Sequence, residues 1–199
     1  MTLGGVVLPF ATLEEGHDHK WERILNLEQG AIAQLIWNHE NVRRAGTGEM
    51  SFLEFQSWDG KELRLSSDQL KEWHEDMWAL VEFDGSIAAW IRVLRKSMKV
   101  AFLSNAWSDD RKELSERFAL EDLADLIIIS GEEGVSKPNP RIYELTLERL
   151  GLAPEQTVFV DDRPENVEAA VRLGMNGVLR QTTEQMMRDV NALTTILYS

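Results

Sequence analysis

The chain contains no cysteine among its 199 residues. That absence excludes disulfide bonds, thiolate nucleophiles and cysteine-ligated zinc or iron–sulfur sites. Long apolar runs are also missing, since none approaches the ~18 to 20 residues needed to span a bilayer. The chain does not open on a basic segment followed by an apolar one, as a secretory signal would. The sequence therefore predicts a cytoplasmic protein without a membrane partner.

Positive charge is scarce as well. Lys and Arg number 21 against 34 Asp and Glu, which gives a formal net charge of −13. Such a charge repels the phosphate backbone of nucleic acids and anionic lipid surfaces, so neither is an expected partner. A small anion remains an acceptable ligand wherever a few basic side chains meet.

The composition, 43% hydrophobic and 28% charged, is that of a globular domain, with length for one domain or one domain carrying an insertion. Three continuous apolar runs in the second half predict strands buried on both faces, at residues 100–103, 126–129 and 158–160. Helical spacing predicts helices between and after them, at residues 111–120, 141–150, 164–173 and 183–193, with a further short strand at 177–179. Alternation of strands and helices predicts an α/β fold with a Rossmann-like parallel sheet.

The first half shows helical spacing without strand-like runs. Six of the seven tryptophans fall there, and Ser51 followed by Glu54 is typical of a helix N-terminus. We therefore predict an α-helical cap at residues 13–96, inserted after a first strand whose visible end is Leu3–Leu8. The core then comprises residues 1–12 and 97–199.

Polar side chains follow the predicted strands at the edge where parallel sheets bind ligands. Ser104 and Asn105 follow the first run, Lys137 lies in a proline-flanked loop after the second, and Asp161 and Asp162 follow the third. A hydroxyl and an amide can bind anionic oxygens, and a lysine supplies a compact positive charge. Two adjacent carboxylates repel each other, which a hard cation such as Mg²⁺ relieves.

Each of these features also has a purely structural interpretation. Ser-Asn after a strand is commonly a turn, an Asp-Asp pair can cap the following helix, and a loop lysine is commonly solvated. Their joint occurrence at one edge of the sheet favours an anion site. Receiver domains also combine acidic residues with a lysine on a parallel sheet, but there the acidic pair comes early and the lysine last.

Three ordered motifs resemble those of the haloacid dehalogenase-like (HAD) hydrolase superfamily, in the branch with a helical cap. The similar segments are Leu103-Ser104-Asn105, Ser136-Lys137-Pro138-Asn139-Pro140 with Tyr143, and Val158 to Asn166. Gly48-Glu49-Met50-Ser51 before Glu54-Phe55 also resembles the cap of that branch. The resemblance covers nearly the whole chain.

This resemblance implies Mg²⁺-dependent transfer of a phosphoryl group from a small phosphate ester to an aspartate, followed by hydrolysis of the phosphoaspartyl intermediate. It implies that Ser104 and Asn105 bind the phosphoryl oxygens, Lys137 offsets charge, and Asp161 and Asp162 hold the metal. The Asp-Asp pair is similar to that of the phosphatases, whereas the dehalogenases have Ser and Asn there.

The first motif departs from the family pattern. Aligning Leu3-Gly4-Gly5-Val6 with that pattern, Asp-Leu-Gly-Gly-Val in this branch, puts Thr2 at the position of the nucleophilic aspartate and Gly4 at that of the second aspartate. A threonine hydroxyl is a poor nucleophile without a positioned base and is no anionic metal ligand. The chain as given is therefore predicted to be an inactive phosphatase.

Two explanations of this departure are open. In the favoured one, the natural chain begins upstream and this form is shortened, because the other motif residues are present. In the other, the protein is a pseudo-enzyme that keeps the anion site as a binding or interaction protein. In a third alternative, the cap surface is an oligomer interface, as in a homodimer, and the site is vestigial.

Other residues invite a function and are given a plainer interpretation. His17-Asp18-His19 lacks a third metal ligand and is interpreted as a solvated loop. Trp37, Trp58 and Trp107 are candidates for a substrate pocket. Arg43-Arg44 is interpreted as an exposed pair, and Arg163 as a brace for the two aspartates.

Overall fold

A computed structural model describes residues 1–8, 13–79 and 85–197 of the chain. The domain boundary predicted after residue 12 falls beside residues outside that description. Within the described residues, no helix is long and apolar enough to cross a membrane.

The first half is helical, as predicted. Its elements are π-helical turns at Leu13–Asp18 and Ala33–Trp37 and helices α1 (His19–Leu25), α2 (Glu40–Gly46), α3 (Phe52–Glu62), α4 (Ser67–Ala79) and α5 (Gly85–Leu94). Helix α3 begins at the predicted cap. Glu54 N–H donates to the Ser51 hydroxyl at 3.3 Å and the Glu54 carboxylate accepts from Ser51 N–H at 2.9 Å, which satisfies two N–H groups of the first turn.

Strands and helices alternate in the second half, which confirms the mixed α/β class. The elements are β1 (Ala101–Ser104), α6 (Asp110–Phe118), β2 (Leu126–Ile129), α7 (Ser130–Glu133), α8 (Pro140–Leu150), β3 (Val158–Asp161), α9 (Pro164–Arg172), β4 (Asn176–Leu179) and α10 (Thr183–Leu197). Gly151 ends α8 with a φ of 66°, a left-handed conformation that glycine adopts without strain. The predicted elements differ from the observed ones by a few residues at their ends.

The strands form two parallel pairs, β1 with β2 and β3 with β4, where the sequence predicts one sheet. Met1 and Thr2 lie between the pairs. The Met1 amino group donates to Ala101 O at 3.1 Å and Leu103 N donates to Met1 O at 2.9 Å, which is the parallel pattern. On the other side, Thr2 N donates to Val160 O at 3.0 Å. The order across the molecule is therefore β2, β1, Met1–Thr2, β3, β4.

The prediction that Leu3–Leu8 is the end of a strand is wrong. These residues form a tight turn in which Leu8 N donates to Leu3 O at 2.9 Å and Gly5 N donates to Leu8 O at 2.8 Å. Gly5 has a φ of +79°, a value that an extended strand does not contain. The apolar side chains of the segment are still buried, so its hydrophobicity reflects a packed turn.

Buried side chains form three clusters. The central cluster includes Leu3, Val6, Phe102, Leu120 and Met186, and a second cluster, under α8 and α9, includes Ile128, Ile142, Tyr143, Phe159 and Ala170. The cap cluster includes Trp21, Ile32, Ile36, Phe55 and Trp73. Helix α5 contributes Ile87, Ala88 and Ile91 to the central cluster, although the predicted cap extends to residue 96. That boundary stays a prediction.

The cap contacts the core beside the carboxyl end of β1. The buried Ser130 hydroxyl contacts the carbonyl oxygen of Gly46, at the end of α2, and accepts a hydrogen bond from Ala106 N at 3.1 Å. A Cβ atom on Gly48 would lie 2.3 Å from Gly131 O, so the two backbones touch here. Trp107, in the loop after β1, packs into the cap cluster with its ring centroid 5.0 Å from that of Phe55.

Candidate functional site

The carboxyl ends of β1 and β3 carry the first of the predicted site residues. Ser104 is the last residue of β1 and is buried, and Asn105 follows it in an exposed position. Asp161 is the last residue of β3, with 1% of its surface exposed, and Asp162 is exposed at the start of the following loop. Because Met1 and Thr2 are hydrogen-bonded to β1 on one side and to β3 on the other, these side chains lie around Thr2.

The loop that carries Lys137 is held against Asn105 by two reciprocal hydrogen bonds. Asn105 Nδ2 donates to Lys137 O at 2.9 Å, and Lys137 N donates to Asn105 Oδ1 at 2.9 Å. The Asn105 amide therefore positions the lysine. The Asn105 amide nitrogen carries a second N–H besides the one that binds Lys137 O.

Lys137 lies at the centre of the site. Its ammonium donates to the Thr2 hydroxyl at 2.5 Å and to Asp161 Oδ2 at 2.7 Å, and all three residues are at most 5% exposed. Burial lowers the pKa of the Lys137 ammonium, and the Asp161 carboxylate opposes that effect. Burial alone would raise the pKa of the Asp161 carboxyl, but the adjacent ammonium outweighs it and holds that pKa below its usual range.

The second oxygen of Asp161 is also engaged. Asp161 Oδ1 accepts from Arg163 N and from Asn166 Nδ2, both at 3.0 Å. The carbonyl oxygen of Asn166 in turn accepts from the hydroxyl of the buried Tyr143 at 2.9 Å. This chain of hydrogen bonds connects the ion pair to the second hydrophobic cluster. The Arg163 side chain itself is exposed and pairs with Glu165, so its backbone rather than its guanidinium braces Asp161.

The Asp162 carboxylate lies over the backbone of Gly5. A Cβ atom on Gly5 would lie 2.1 Å from Asp162 Oδ2, so only glycine fits there. Partial removal from water raises the pKa of Asp162, and the negative charge of Asp161 raises it further. Asp162 is therefore a carboxylate that a cation would stabilise.

We expect Gly5→Ala to destabilise the protein more than Gly30→Ala does. Gly30 has a similar φ of +84° but open space around its Cβ position, so it carries only the backbone cost of about 1–2 kcal/mol. Gly5→Ala adds the displacement of Asp162. Urea unfolding of both variants measures the difference, and equal losses would show that Asp162 moves away at no cost.

A cleft of about 660 Å³ opens above these residues. Its floor is Thr2, Ser104, Asn105, Lys137, Asp161 and Asp162, and its walls include Trp37, Arg43, Trp78, Trp107 and Arg180. Trp37 and Trp107 thus lie where the sequence analysis considered them. Trp58 packs instead against His39 and Phe55, with ring centroids 4.5 and 5.5 Å apart.

Sequence reasoning did not select Trp78 and Arg180, which are among the residues that line the wall. Arg180 directly follows the predicted strand at 177–179, so the same rule that selected Ser104 and Asp161 would have found it. Trp78 does not follow a predicted strand. Its sequence context, a tryptophan on an amphipathic helix, does not distinguish a cleft residue from a core residue.

The solvated-loop interpretation of residues 17–19 is wrong for His17 and Asp18, which are 1% and 3% exposed. Asp18 accepts from His17 Nδ1 at 3.0 Å and from Trp37 Nε1 at 2.8 Å, and His17 Nε2 lies 3.0 Å from Trp73 O. These bonds satisfy a buried polar pair within the cap cluster. The described residues contain no group of three His, Asp or Glu side chains able to hold a metal.

The chain matches a family model described as haloacid dehalogenase-like hydrolase over residues 5–174. Among curated proteins, phosphatase MT3486 of Mycobacterium tuberculosis is 34% identical over 108 residues, which cover 52% of this chain and 50% of that protein. The matched segments span 6%, 20% and 50% of the first three curated relatives, so the chain covers half or less of their length.

Two solved structures have the same fold. A predicted HAD-like family hydrolase from Porphyromonas gingivalis superposes with a TM-score of 0.75 at 22% identity, covering 100% of this chain and 96% of that one. A HAD family enzyme from Bacteroides thetaiotaomicron, as an aspartate-to-alanine mutant in complex with magnesium and inorganic phosphate, superposes with a TM-score of 0.73 at 21% identity, covering 90% and 91%. At these identities the likeness establishes the fold.

Proposed function

Since the chain belongs to the haloacid dehalogenase-like hydrolase family, we propose that its cleft is a Mg²⁺-dependent phosphatase site for a small phosphate ester. The observation that carries the proposal is the buried Lys137 ammonium, in contact with both the Thr2 hydroxyl and the Asp161 carboxylate. A phosphoryl group placed above Thr2 would meet that positive charge. The phosphatases among the curated relatives support the same chemistry.

The remaining roles follow from position. The Ser104 hydroxyl and the second N–H of Asn105 are donors for phosphoryl oxygens, and Lys137 offsets their negative charge. Trp37 and Trp107 form an aromatic wall that shields an ester from water.

The two aspartates fit a magnesium ion unequally. Both oxygens of Asp161 already accept hydrogen bonds from protein groups, whereas the carboxylate of Asp162 faces the cleft with a raised pKa. Mg²⁺ is commonly held by one or two carboxylates together with water and phosphate oxygens. Asp162 would therefore be the main ligand, with Asp161 as the residue that holds Lys137. When bound, the ion would supply positive charge to the phosphoryl oxygens.

The residue at position 2 determines whether the site can hydrolyse a phosphate ester or only bind it. The Thr2 hydroxyl contacts the Lys137 ammonium, which is no base while it is protonated, and threonine provides no carboxylate for a phosphoaspartyl intermediate. We therefore expect this chain to bind Mg²⁺ and phosphate without hydrolysing esters. The second candidate, a binding or interaction protein, rests on this same buried Thr2. The Bacteroides thetaiotaomicron mutant, which lacks an aspartate and still forms a complex with magnesium and phosphate, supports binding without a full set of carboxylates.

Calorimetry with Mg²⁺ and inorganic phosphate tests the site. Asp162→Asn is expected to weaken Mg²⁺ binding about tenfold or more, because the main ligand loses its charge. The matched control is Glu148→Gln, which removes one negative charge from exposed α8 away from the cleft. An unchanged Mg²⁺ affinity in Asp162→Asn, or no binding of either ion by the unmodified chain, would contradict the proposal.

A further inference from the structure

Arg180 is placed beside the acidic pair by the backbone. It is the first residue after β4, and its N–H donates to the carbonyl oxygen of Asp161 at 2.9 Å. Its side chain is half-buried and lines the same cleft as Lys137 and Asp162. The proposed phosphoryl site leaves this arginine without a role.

The guanidinium of Arg180 has no carboxylate within ion-pair distance in the described parts of the chain. Its Nε is buried without a hydrogen-bond partner, and its terminal nitrogen makes one long contact of 3.4 Å to the Thr183 hydroxyl. The other two arginines of the cleft are paired, Arg43 with Glu49 at 2.6 Å and Arg163 with Glu165 at 2.8 Å. Among the three arginines that line the cleft, Arg180 is therefore the one without a carboxylate partner in the described residues.

A half-buried guanidinium without an anion loses hydration, and the long contact to the Thr183 hydroxyl offsets little of that loss. Its planar fork matches a carboxylate, to which it can donate two parallel hydrogen bonds. Arg180 lines the cleft with no carboxylate partner among the described residues, so its guanidinium fits an oxyanion of a bound molecule.

That oxyanion is distinct from the proposed phosphoryl group. Arg180 and Thr2 are separated by β3, and neighbouring strands lie about 4.8 Å apart, so their backbones are about 10 Å apart. Ser104 and Lys137 approach Thr2 from the opposite side, through β1 and the loop after β2. A phosphoryl group centred on Thr2 has its own donors there, which leaves Arg180 for a second anionic group of the ligand.

We infer that Arg180 is a specificity residue that binds a carboxylate on the leaving-group side of the ester, so that the ligand carries two anionic ends. This inference rests on the proposed function, and it narrows the ligand class from phosphate esters in general to phosphate esters of hydroxy acids.

Two probes with the same carbon chain test it by calorimetry in the presence of Mg²⁺, namely butyl phosphate and the phosphate ester of γ-hydroxybutyrate. The unmodified chain is expected to bind the carboxylated ester about tenfold more tightly, the value of one charge-assisted contact. Arg180→Gln is expected to remove that preference and to leave the affinity for butyl phosphate within about twofold. Arg163→Gln removes the same charge from a paired arginine of the cleft and is expected to keep the preference.

The outcomes separate the two proposals. If butyl phosphate binds and the carboxylate adds nothing, the inference about Arg180 is wrong and the phosphate site stands. If Arg180→Gln weakens the binding of both esters equally, Arg180 contacts the phosphoryl group instead. If Arg163→Gln reduces the preference for the carboxylated ester as much as Arg180→Gln does, the preference comes from the overall positive charge of the cleft. Either result overturns the inference. If neither ester binds the unmodified chain, the proposed function fails, and the inference fails with it.

Discussion

Replacing Thr2 with aspartate is expected to give the chain Mg²⁺-dependent activity on 4-nitrophenyl phosphate, at least about 10³-fold above that of the unmodified chain. The new carboxylate would stand where Lys137 now contacts the Thr2 hydroxyl at 2.5 Å. A carboxylate oxygen would attack phosphorus while the bond to the nitrophenolate breaks, and water would then hydrolyse the acyl phosphate and restore the carboxylate. Nitrophenolate leaves without a proton, so the glycine at position 4, where the family has a second aspartate, does not block the reaction.

Thr2→Asn is the matched control, because an amide of the same shape lacks the nucleophilic oxygen anion. Release of nitrophenolate is followed by absorbance, with circular dichroism to show that each variant is folded. Equal activity of the two variants would show that hydrolysis does not pass through residue 2. A folded but inactive Thr2→Asp variant would favour the binding or interaction protein over the phosphatase.

Lys137→Met is expected to destabilise the protein by about 3–5 kcal/mol, the usual effect of removing one partner from a buried ion pair. Asp161, 1% exposed, would lose its ammonium and keep only the hydrogen bonds from Arg163 N and Asn166. Urea unfolding measures the loss. The double variant Lys137→Met/Asp161→Asn removes the uncompensated charge and is expected to recover part of the stability.

The loss in Lys137→Met also depends on pH with a defined sign. In the unmodified protein the pKa of Asp161 is held below its usual value, so the ion pair stabilises the fold above about pH 3.9 and that stability disappears as the pH falls. Without Lys137, burial raises the pKa of Asp161, so the penalty is complete at neutral pH and shrinks as the carboxyl takes up a proton. The difference between the two proteins should therefore narrow toward about pH 4. A difference that is constant with pH would assign the loss to packing.

The sheet edge and its polar residues could be predicted because continuous apolar runs mark buried parallel strands. Ser104, Asp161 and Lys137 converge for that reason, and the parallel pairing of β1 with β2 and β3 with β4 follows from the same pattern. The contacts that these polar residues make with one another could not be predicted from the sequence. Asn105 binds the Lys137 backbone, a contact across 32 positions of the chain that no local pattern encodes.

The wrong predictions concern segments whose burial or backbone conformation cannot be inferred from the local pattern of apolar and polar residues. An apolar run such as Leu3–Leu8 is equally compatible with a strand and a packed turn, and only the positive φ of Gly5 distinguishes them. His17 and Asp18 resemble a solvated loop because their partners, Trp37 and Trp73, are distant in sequence. Buried polar pairs depend on such long-range partners, which spacing rules do not detect.

Trp107 connects the core to the cap, because its backbone belongs to one and its ring packs in the other. Its backbone follows Ser104 and Asn105 in the core, whereas its ring packs with Phe52 and Phe55 in the cap, at 5.0 Å from each. Any local unfolding equilibrium that opens the cap must withdraw that indole and expose its apolar surface. A ligand that orders the loop after β1 therefore also shifts the equilibrium between the open and closed cap. The equilibrium constant changes by the ratio of the ligand's affinities for the closed and the open form. Occupancy of the cleft and closure over it are thus linked equilibria, and Trp107 is one of the side chains that link them.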